Sequence, residues 1–430
     1  MDNQYRHKYL LLSALLFVLG GLFLLRGAGR ALSGGSDLIH LYTAIVLWAE
    51  GGDPYDGAQC VEVARRAGYF NPEHVGEGSL YPPSTLAALA PIGQFGWSTA
   101  RFIWLVLNLL ACGALVWAAA SWLVIKDAAM RWMLASLIVL AMGAVATSLS
   151  LGQLSLVTAA CLFSGLVLLE RGRVWLAGLL FGYACLVKPQ MGMGFLLLIM
   201  LLRQWRAFGA GATLVLAGAA VGVGRLMASA PDWLVQLREN LEVGQAQGGI
   251  LDAAVGGAMR YQMIDLRPIL HLALPAGWVG LSAWVVVGLL AVLALWRLFR
   301  LGLHEHLLLA ASGVGLLILM PVYHRYYDAV LLLPLFVLVV NALIRGNNSL
   351  PVWVIAIAIL AMLFPTPSLL AVLAKQGTIP GSIADTVVWQ HLVLQHQSWC
   401  LLIAALALVW WTWRLPLPSE ANLQTPGSAD

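Results

Sequence analysis

The sequence predicts an all-α polytopic membrane protein, and three features predict it: the composition, the length of the apolar runs and the distribution of basic residues. Hydrophobic residues make up 61% of the 430 residues, and charged residues only 10%. Soluble domains carry about 25% charged residues, so this chain lacks the polar surface that a water-exposed fold requires. The net charge of +4 is small and dispersed, which does not indicate nucleic acid as a partner. The five cysteines show no spacing typical of disulfides or metal sites.

The apolar runs of the chain are long enough to form membrane spans. A helix of about 17–25 apolar residues crosses the roughly 30 Å hydrocarbon core of a bilayer. We identify twelve candidates, several of them short: 9–29, 99–125, 132–149, 153–169, 174–188, 190–202, 208–226, 275–296, 306–322, 326–344, 350–364 and 396–413. Basic residues precede the first run, which is longer than the apolar core of a secretory signal. We therefore expect an uncleaved first span with a cytoplasmic N-terminus.

One further apolar segment, Tyr81–Phe95, decides the topology of everything that follows it. It is short and contains three prolines. If it does not cross, nine basic residues fall in short cytoplasmic loops and only Lys188 and Arg325 in short outer loops. If it crosses, this ratio inverts. Because short cytoplasmic loops are enriched in Lys and Arg, the non-crossing topology is favoured, with twelve spans and both termini in the cytoplasm. The nine residues are Lys126, Arg131, Arg171, Arg173, Arg203, Arg206, Arg297, Arg300 and Arg345.

This topology predicts one transmembrane domain over residues 1–415, followed by a polar cytoplasmic tail over 416–430. Three long connections then lie outside, at 31–98, 227–274 and 365–395. The first contains an uninterrupted helical pattern over 37–50 that ends at two glycines. Asp37, His40 and Ala44 share one stripe of this helix, with apolar residues around it. That pattern favours a helix lying in the membrane interface.

Polar residues at the ends of the spans gather on the outer side in this topology. Ionisable groups cost about 2.5–3.5 kcal/mol at the centre of a membrane helix and less near its ends, so they tend to mark functional sites. One carboxylate and several cations thus approach the same membrane face. The candidate residues are Asp37, His40, Tyr81, Gln153, Lys188, Gln190, His324 and Arg325.

Several sequence blocks carry a resemblance to a known family. In chain order they are SDLIHLYTAIVLWAEGGDPYD, YPPSTLAALAPI, LGQLSLVTAACLF, ERGRVWLAGLLFGYACLVKPQMG with RQWRA, and YHRYYD. Together they resemble glycosyltransferase family 87 of the GT-C superfamily, which includes polyprenyl-phosphate-mannose-dependent α-mannosyltransferases. The similarity covers about residues 9–345 and is most characteristic between Gln153 and Arg206. Beyond about residue 350 only the hydropathy matches.

The resemblance implies a GT-C-like fold with a large first outer loop, whose leading aspartate is the catalytic carboxylate. By position this is Asp37. It also implies transfer of a sugar from a polyprenyl-phosphate donor to a lipid or glycan acceptor, with mannose as the favoured candidate for the sugar. The reaction is expected to proceed with inversion at the outer or periplasmic face of a bacterial inner or plasma membrane. We expect no cofactor or metal, because no second carboxylate is clearly placed beside Asp37, although Asp53 and Asp56 weaken that argument.

The chemistry of such a transfer suits the residue types at the outer face. One carboxylate is needed to take the proton of the acceptor hydroxyl, and general-base catalysis contributes roughly 10²–10⁴-fold. Cations such as Lys188 and Arg325 suit the leaving phosphate through charge-assisted hydrogen bonds. His324 joins these phosphate ligands, while His40, Tyr81, Gln153 and Gln190 are candidates for other substrate contacts.

Each candidate also has a structural interpretation. Asp37 follows Gly-Gly-Ser and could cap its helix. Lys188 could be an anchor that extends to the membrane surface, and His324 with Arg325 could form a solvated turn. Gln153 is interpreted first as a hydrogen bond between helices and second as a ligand. Tyr81, with the two prolines after it, is interpreted first as a residue that shapes the loop.

Two other functions remain open from the sequence. A transporter or flippase of lipid-linked sugars would place ionisable groups near the membrane midplane and often contains inverted repeats. Here the charges lie at one face and no repeat is visible, which disfavours a transporter. A scaffold with a degenerate transferase fold is the third possibility, and the presence of Asp37 argues against it.

Overall fold

A computed structural model describes residues 3–33, 35–257, 259–303 and 306–417 of the chain. These residues form twenty-one α-helices with short 3-10 and π segments, and no β-strand. Helix accounts for 77% of the structure. Among the described residues, one isolated antiparallel β-bridge pairs Met263 with Arg325. The predicted all-α class is confirmed, whereas most of the predicted tail over 416–430 lies outside the described residues.

The chain divides into two compact units. The first comprises Met1–Ser121, Ile125–Asp252 and Gly256–Met259, and the second Trp122–Val124, Ala253–Val255 and Arg260–Asp430. Thirteen helices begin in the first unit: α1 Asn3–Phe23, α2 Gly29–Ser33, α3 Ser36–Glu50, α4 Gly57–Arg66, α5 Pro83–Leu89, α6 Trp97–Trp122, α7 Ala128–Ala141, α8 Gly143–Leu151, α9 Ser155–Glu170, α10 Val174–Val187, α11 Pro189–Leu201, α12 Trp205–Ser229 and α13 Trp233–Gln245.

The second unit contains eight described α-helices and a long 3-10 segment, Tyr326–Leu332. The helices are α14 Arg267–Leu270, α15 Ala276–Leu301, α16 Leu307–Leu319, α17 Leu333–Ile344, α18 Leu350–Met362, α19 Thr366–Lys375, α20 Gly381–Ala384 and α21 His396–Arg414. The 3-10 segment leads directly into α17, so it continues the same apolar run.

Each of the twelve predicted apolar runs is largely helical. Within the described residues, five segments are long and apolar enough to cross a membrane: Tyr9–Glu50, Trp97–Trp122, Trp205–Ser229, Ala276–Leu301 and Tyr326–Ile344. The number rises to as many as seven if each of two bent helix pairs, α7 with α8 (61°) and α18 with α19 (44°), forms one span. These helices support the prediction of an integral membrane protein. The count of twelve spans stays a prediction, because helices such as α10, with 14 residues, are only about 21 Å long.

Glycines let α10 and α12 pack with their backbones in close approach. A Cβ added at Gly178 would lie 2.4 Å from the carbonyl oxygen of Ala207, and one at Gly182 would lie 2.7 Å from that of Gly211. Small residues four apart allow this approach between membrane helices. Further along α12, a Cβ at Gly222 would lie 2.4 Å from the carbonyl oxygen of Pro83. The helix pair therefore fixes both the end of α10 and the start of α5.

The first outer loop contributes a buried helix instead of a half-exposed one. The predicted helix over 37–50 is present as α3, and it ends at Gly51 in the left-handed conformation (φ 86°). Ten of its fifteen side chains are buried, and seven of them pack with residues of α4 and of the Ala90–Gln94 segment in one apolar cluster. The location of α3 in the membrane interface stays a prediction.

The Tyr81–Phe95 segment folds as two short pieces. α5 covers seven residues, and a 3-10 segment, Ala90–Gln94, follows it. Pro83 and Pro91 each stand at the start of a piece, where the missing N–H of proline costs nothing. Neither piece is long enough to cross a bilayer.

Candidate functional site

Asp37 lies in the first turn of α3, and its carboxylate is held by two polar side chains. Gly35 occupies the N-cap position in the left-handed conformation (φ 62°). Asp37 is therefore not the N-cap residue of α3 and lies within its first turn. The Ser36 hydroxyl donates to Oδ1 at 3.2 Å. The amide of Gln153 donates to Oδ2 in a short hydrogen bond that joins residues 116 positions apart.

The turn that carries Gln153 packs directly on α3. Gly152 has a φ of 73°, and a Cβ there would lie 2.7 Å from the Cβ of Leu38. The Trp104 indole of α6 donates to the Gly152 carbonyl at 2.8 Å and fixes the turn. Because Gln153 itself is only 5% exposed, its amide group is held in place and orients the Asp37 carboxylate. This is the inter-helix hydrogen bond that the sequence favoured for Gln153.

Lys188 follows the last residue of α10 and points into the protein. Its ammonium donates to the Ser155 hydroxyl at 3.0 Å, and both residues are buried. A lysine that extended to the membrane surface would keep its charged end in water, so that interpretation is wrong. Ser155 begins α9, two residues after Gln153. The turn between α8 and α9 thus contacts the carboxylate of Asp37 at one end and the ammonium of Lys188 at the other.

The segment after Tyr81 closes the end of α10 beside Lys188. The Thr85 hydroxyl lies 3.1 Å from the carbonyl oxygens of both Leu186 and Val187, and Ser84 donates to Leu186 at 3.3 Å. These carbonyls belong to the last turn of the helix, which has no intrahelical donors of its own. The carbonyl oxygen of Tyr81 accepts from the Tyr55 hydroxyl at 2.9 Å. Tyr81 thus takes part in the loop structure, and its contact with substrate stays a prediction.

The remaining candidates of the first unit lie on more open surface. His40 is half-buried, and its ring meets the ring of His74 edge to face at 4.8 Å. Gln190 is exposed in the first turn of α11. The sequence did not indicate Tyr69. Its burial is the larger cause that raises the pKa of its phenol, and the negative charge of Asp37 is the smaller one. Tyr69 therefore lies within the electrostatic reach of the candidate base.

The two other aspartates of the first loop have local structural roles. Asp56 caps α4 by accepting from the backbone N–H groups of Ala58 (2.8 Å) and Gln59 (3.3 Å). Asp53 accepts from the backbone N–H of Tyr55 at 2.9 Å in the preceding turn. Its burial raises the pKa of this carboxyl above the usual value. Both carboxylates therefore stabilise the turns of the first loop.

In the second unit, His324 is fully buried and its ring is held by an acid. Nδ1 lies 2.9 Å from Oδ2 of Asp328, four residues later. Nε2 has no hydrogen-bond partner among the described residues. The interpretation of this segment as a solvated turn is wrong for His324, which is 0% exposed.

Arg325 lies beside His324 and contacts Tyr323. Its Nε donates to the Tyr323 hydroxyl in a short hydrogen bond, and its guanidinium carbon lies 5.6 Å from the centre of the Tyr323 ring. The residue is half-buried.

Sequence reasoning missed a buried ion pair next to this segment. Asp265 accepts from Nε of Arg267 at 2.9 Å and from one of its terminal nitrogens at 3.0 Å. It also accepts from the backbone N–H of His324 at 3.3 Å. The signal in the sequence was weak, since an acid two residues before an Arg-Pro pair is typical of many polar turns. No group of three His, Cys, Asp or Glu side chains that could hold a metal occurs in the described part of the chain.

A comparison of the sequence with protein families identifies one class of enzyme. A family model described as glycosyltransferase family 87 matches residues 80–323, more than half of the chain. The protein is therefore a membrane glycosyltransferase, and it belongs to glycosyltransferase family 87. The matched range includes Gln153, Lys188 and Gln190, whereas Asp37 lies ahead of it and His324 directly after it. Neither a curated protein nor a solved structure matches the chain.

Proposed function

We propose that this enzyme transfers a sugar from a polyprenyl-phosphate donor to a lipid or glycan acceptor. Mannose is the favoured candidate for this sugar. The proposal places the reaction at the outer face of a bacterial plasma membrane, in a single domain of about twelve spans with both termini in the cytoplasm. The observation that carries it is the α8–α9 turn, which links the carboxylate of Asp37 with the buried ammonium of Lys188. Membership of a glycosyltransferase family also favours transfer over the transporter alternative.

In the proposed reaction Asp37 is the general base. Its carboxylate takes the proton of the acceptor hydroxyl while the hydroxyl oxygen attacks the anomeric carbon of the donor. The bond between that carbon and the phosphate oxygen breaks on the opposite face, which inverts the configuration. The electron pair leaves with the phosphate. The hydrogen bond from Gln153 supports this role, because it fixes the carboxylate before substrate binds.

The leaving phosphate requires cations. The donor is a phosphodiester with one negative charge, and the product is a monoester that approaches two. We assign Lys188 of the first unit to this charge, since ionised donors make hydrogen bonds roughly twice as strong as neutral ones. His324 and Arg325 of the second unit are proposed as donor ligands on the sequence resemblance. Burial of Lys188 and of the His324–Asp328 pair supports the assignment, because charge interactions strengthen where water is excluded. His40, Tyr81 and Gln190 are proposed contacts to the sugar or the acceptor.

The proposal is tested with the purified full-length enzyme and a panel of radiolabelled polyprenyl-phosphate sugars, with native membrane lipids as acceptors. We expect label to move from at least one donor, with polyprenyl-phosphate mannose first, into lipid or glycan product. Nucleotide-activated sugars serve as the comparison. Transfer from a nucleotide sugar, with none from any polyprenyl-phosphate sugar, would contradict the proposed donor class.

A further inference from the structure

Two arginine side chains of the second unit lie against one tyrosine ring. The guanidinium carbons of Arg267 and Arg325 are 5.8 Å and 5.6 Å from the centre of the Tyr323 ring. A cation within about 6 Å of an aromatic ring is attracted to it. Two guanidinium groups on the same ring nevertheless repel each other. A bound anion would relieve that repulsion, so the pair has the character of an anion site.

Arg267 is held in one orientation by a fully buried acid. Both oxygens of Asp265 accept from Arg267, and they occupy Nε and one terminal nitrogen. The other terminal nitrogen makes no hydrogen bond within the described residues. The Arg267 side chain is 18% exposed, whereas that of Asp265 is 0% exposed. One edge of the guanidinium is therefore fixed by protein, and the other is available to a ligand.

The same acid connects Arg267 to the segment that carries His324. Oδ2 of Asp265 accepts from the backbone N–H of His324, and the backbone N–H of Ile264 donates to the His324 carbonyl at 3.0 Å. The His324 imidazole gives a second indication of a ligand. Its buried Nε2 atom has no hydrogen-bond partner among the described residues. A buried polar atom left without a hydrogen-bond partner destabilises the folded protein. A ligand that accepts from or donates to this atom would remove that cost.

We propose that Arg267 binds the phosphate of the prenyl-phosphate donor together with Arg325, and that Asp265 and Tyr323 are positioning residues. This inference rests on the proposed function and adds a residue that the sequence did not select. The planar fork of Arg267 suits two oxygens of one phosphate. As the diester becomes a monoester, the negative charge facing Arg267 increases, so its hydrogen bonds strengthen during the transfer.

The test uses a pair of substitutions that removes Arg267 without leaving a buried charge behind. In Arg267→Gln with Asp265→Asn, both partners become neutral amides of similar size, because removing only one would leave an uncompensated ion. Arg267→Lys keeps the charge and loses the fork. Tyr323→Phe keeps the ring and removes the hydroxyl that accepts from Arg325. The matched control is Arg238→Gln with Glu242→Gln, an exposed ion pair on α13.

Binding of farnesyl phosphate to the full-length enzyme in nanodiscs is measured by calorimetry, alongside KM and kcat for transfer. We expect the Arg267–Asp265 double variant to lose about 10-fold or more in affinity, and Arg267→Lys to lose less. The control should bind as the wild type does. Tyr323→Phe should raise KM while the melting temperature stays unchanged. Inorganic phosphate should bind far more weakly than farnesyl phosphate, because it lacks the prenyl chain.

The outcomes separate this inference from the proposed function. Wild-type affinity and kinetics in both Arg267→Lys and the double variant would overturn the inference while transfer by the wild type stands. Binding of farnesyl phosphate that depends on Arg267, with no transfer from any prenyl-phosphate sugar, would overturn the function and leave the anion site. Equal binding of inorganic and farnesyl phosphate would overturn the prenyl-phosphate assignment.

Discussion

A substitution of Asp37 can separate a catalytic role of its carboxylate from a structural role. Asp37 lies within the first turn of α3, where Gly35 precedes it as the N-cap. Ser36 and Gln153 donate to different oxygens of this carboxylate. An asparagine keeps the bond from Gln153 through its single oxygen and can donate from its amide nitrogen to the Ser36 hydroxyl, but it cannot take a proton from the acceptor hydroxyl.

We therefore expect Asp37→Asn to express and melt as the wild type does, with transfer slowed by roughly 10²-fold or more. The measurement is single-turnover transfer, so that chemistry limits the rate. Asp56→Asn is the matched control, because asparagine caps a helix about as well as aspartate. Near-wild-type transfer by Asp37→Asn would remove it as the base and make Asp53 the next carboxylate to test.

A substitution of Lys188 can likewise remove its positive charge and keep its hydrogen bond to Ser155. Lys188→Gln keeps a donor for the Ser155 hydroxyl and loses the positive charge. If the charge acts on the leaving phosphate, the variant should fold normally, bind farnesyl phosphate about 10-fold more weakly and turn over more slowly. Calorimetry and steady-state kinetics measure these effects. Unchanged binding and turnover in both Lys188→Gln and Lys188→Ala would leave the residue a structural role alone.

At the level of helices, the close approach of α10 and α12 supports the site. α10 ends directly before Lys188, and its last carbonyls accept from the start of α5. The approach exists because Gly178 and Gly182 have no side chain. Separation of the two helices would move Lys188 away from the turn that carries Gln153.

Gly178→Ala should therefore destabilise the protein, since a Cβ there would lie 2.4 Å from a backbone oxygen. Overpacking of this kind costs about 1–3 kcal/mol. Thermal unfolding in detergent measures the loss, and activity should fall together with it. The control is Gly209→Ala on α12, where a Cβ meets nothing within 4 Å. Equal melting temperatures for Gly178→Ala and the wild type would show that the helices separate at little cost.

For the whole molecule, the distribution of basic residues predicts which side of the membrane each loop faces. The topology places the α9–α10 loop in the cytoplasm and the loop between α4 and α5 outside. Two positions sample these loops, Arg173 and Phe70. Neither is among the proposed site residues, so each can be replaced without touching the chemistry.

On a cysteine-free background, Phe70→Cys should react with an impermeant maleimide in intact cells, and Arg173→Cys only after the membrane is opened. The reason is that the reagent reaches outer residues alone. Activity of each variant shows that the protein is correctly inserted. Labelling of both positions in intact cells would overturn the non-crossing assignment of residues 81–95, and the reverse pattern would overturn the outer location of Asp37.

The sequence by itself determined the elements of this protein. Apolar runs in lipid satisfy their backbone groups within each helix, so helix positions follow from local composition. The helix at 37–50, its end at Gly51 and the helical character of all twelve runs were readable for this reason. Short motifs also indicated the family, which the match over residues 80–323 confirms.

Only the tertiary structure decided which polar side chains meet. The contact of Gln153 with Asp37 joins residues 116 positions apart, and that of Lys188 with Ser155 joins residues 33 apart. Such contacts depend on how each helix is rotated and how closely its backbone approaches its neighbour. Those quantities arise from packing at positions such as Gly152 and Gly178, and local composition does not encode them. Asp265 and Arg267 were missed for the same reason, because their link to His324 is formed by long-range backbone pairing.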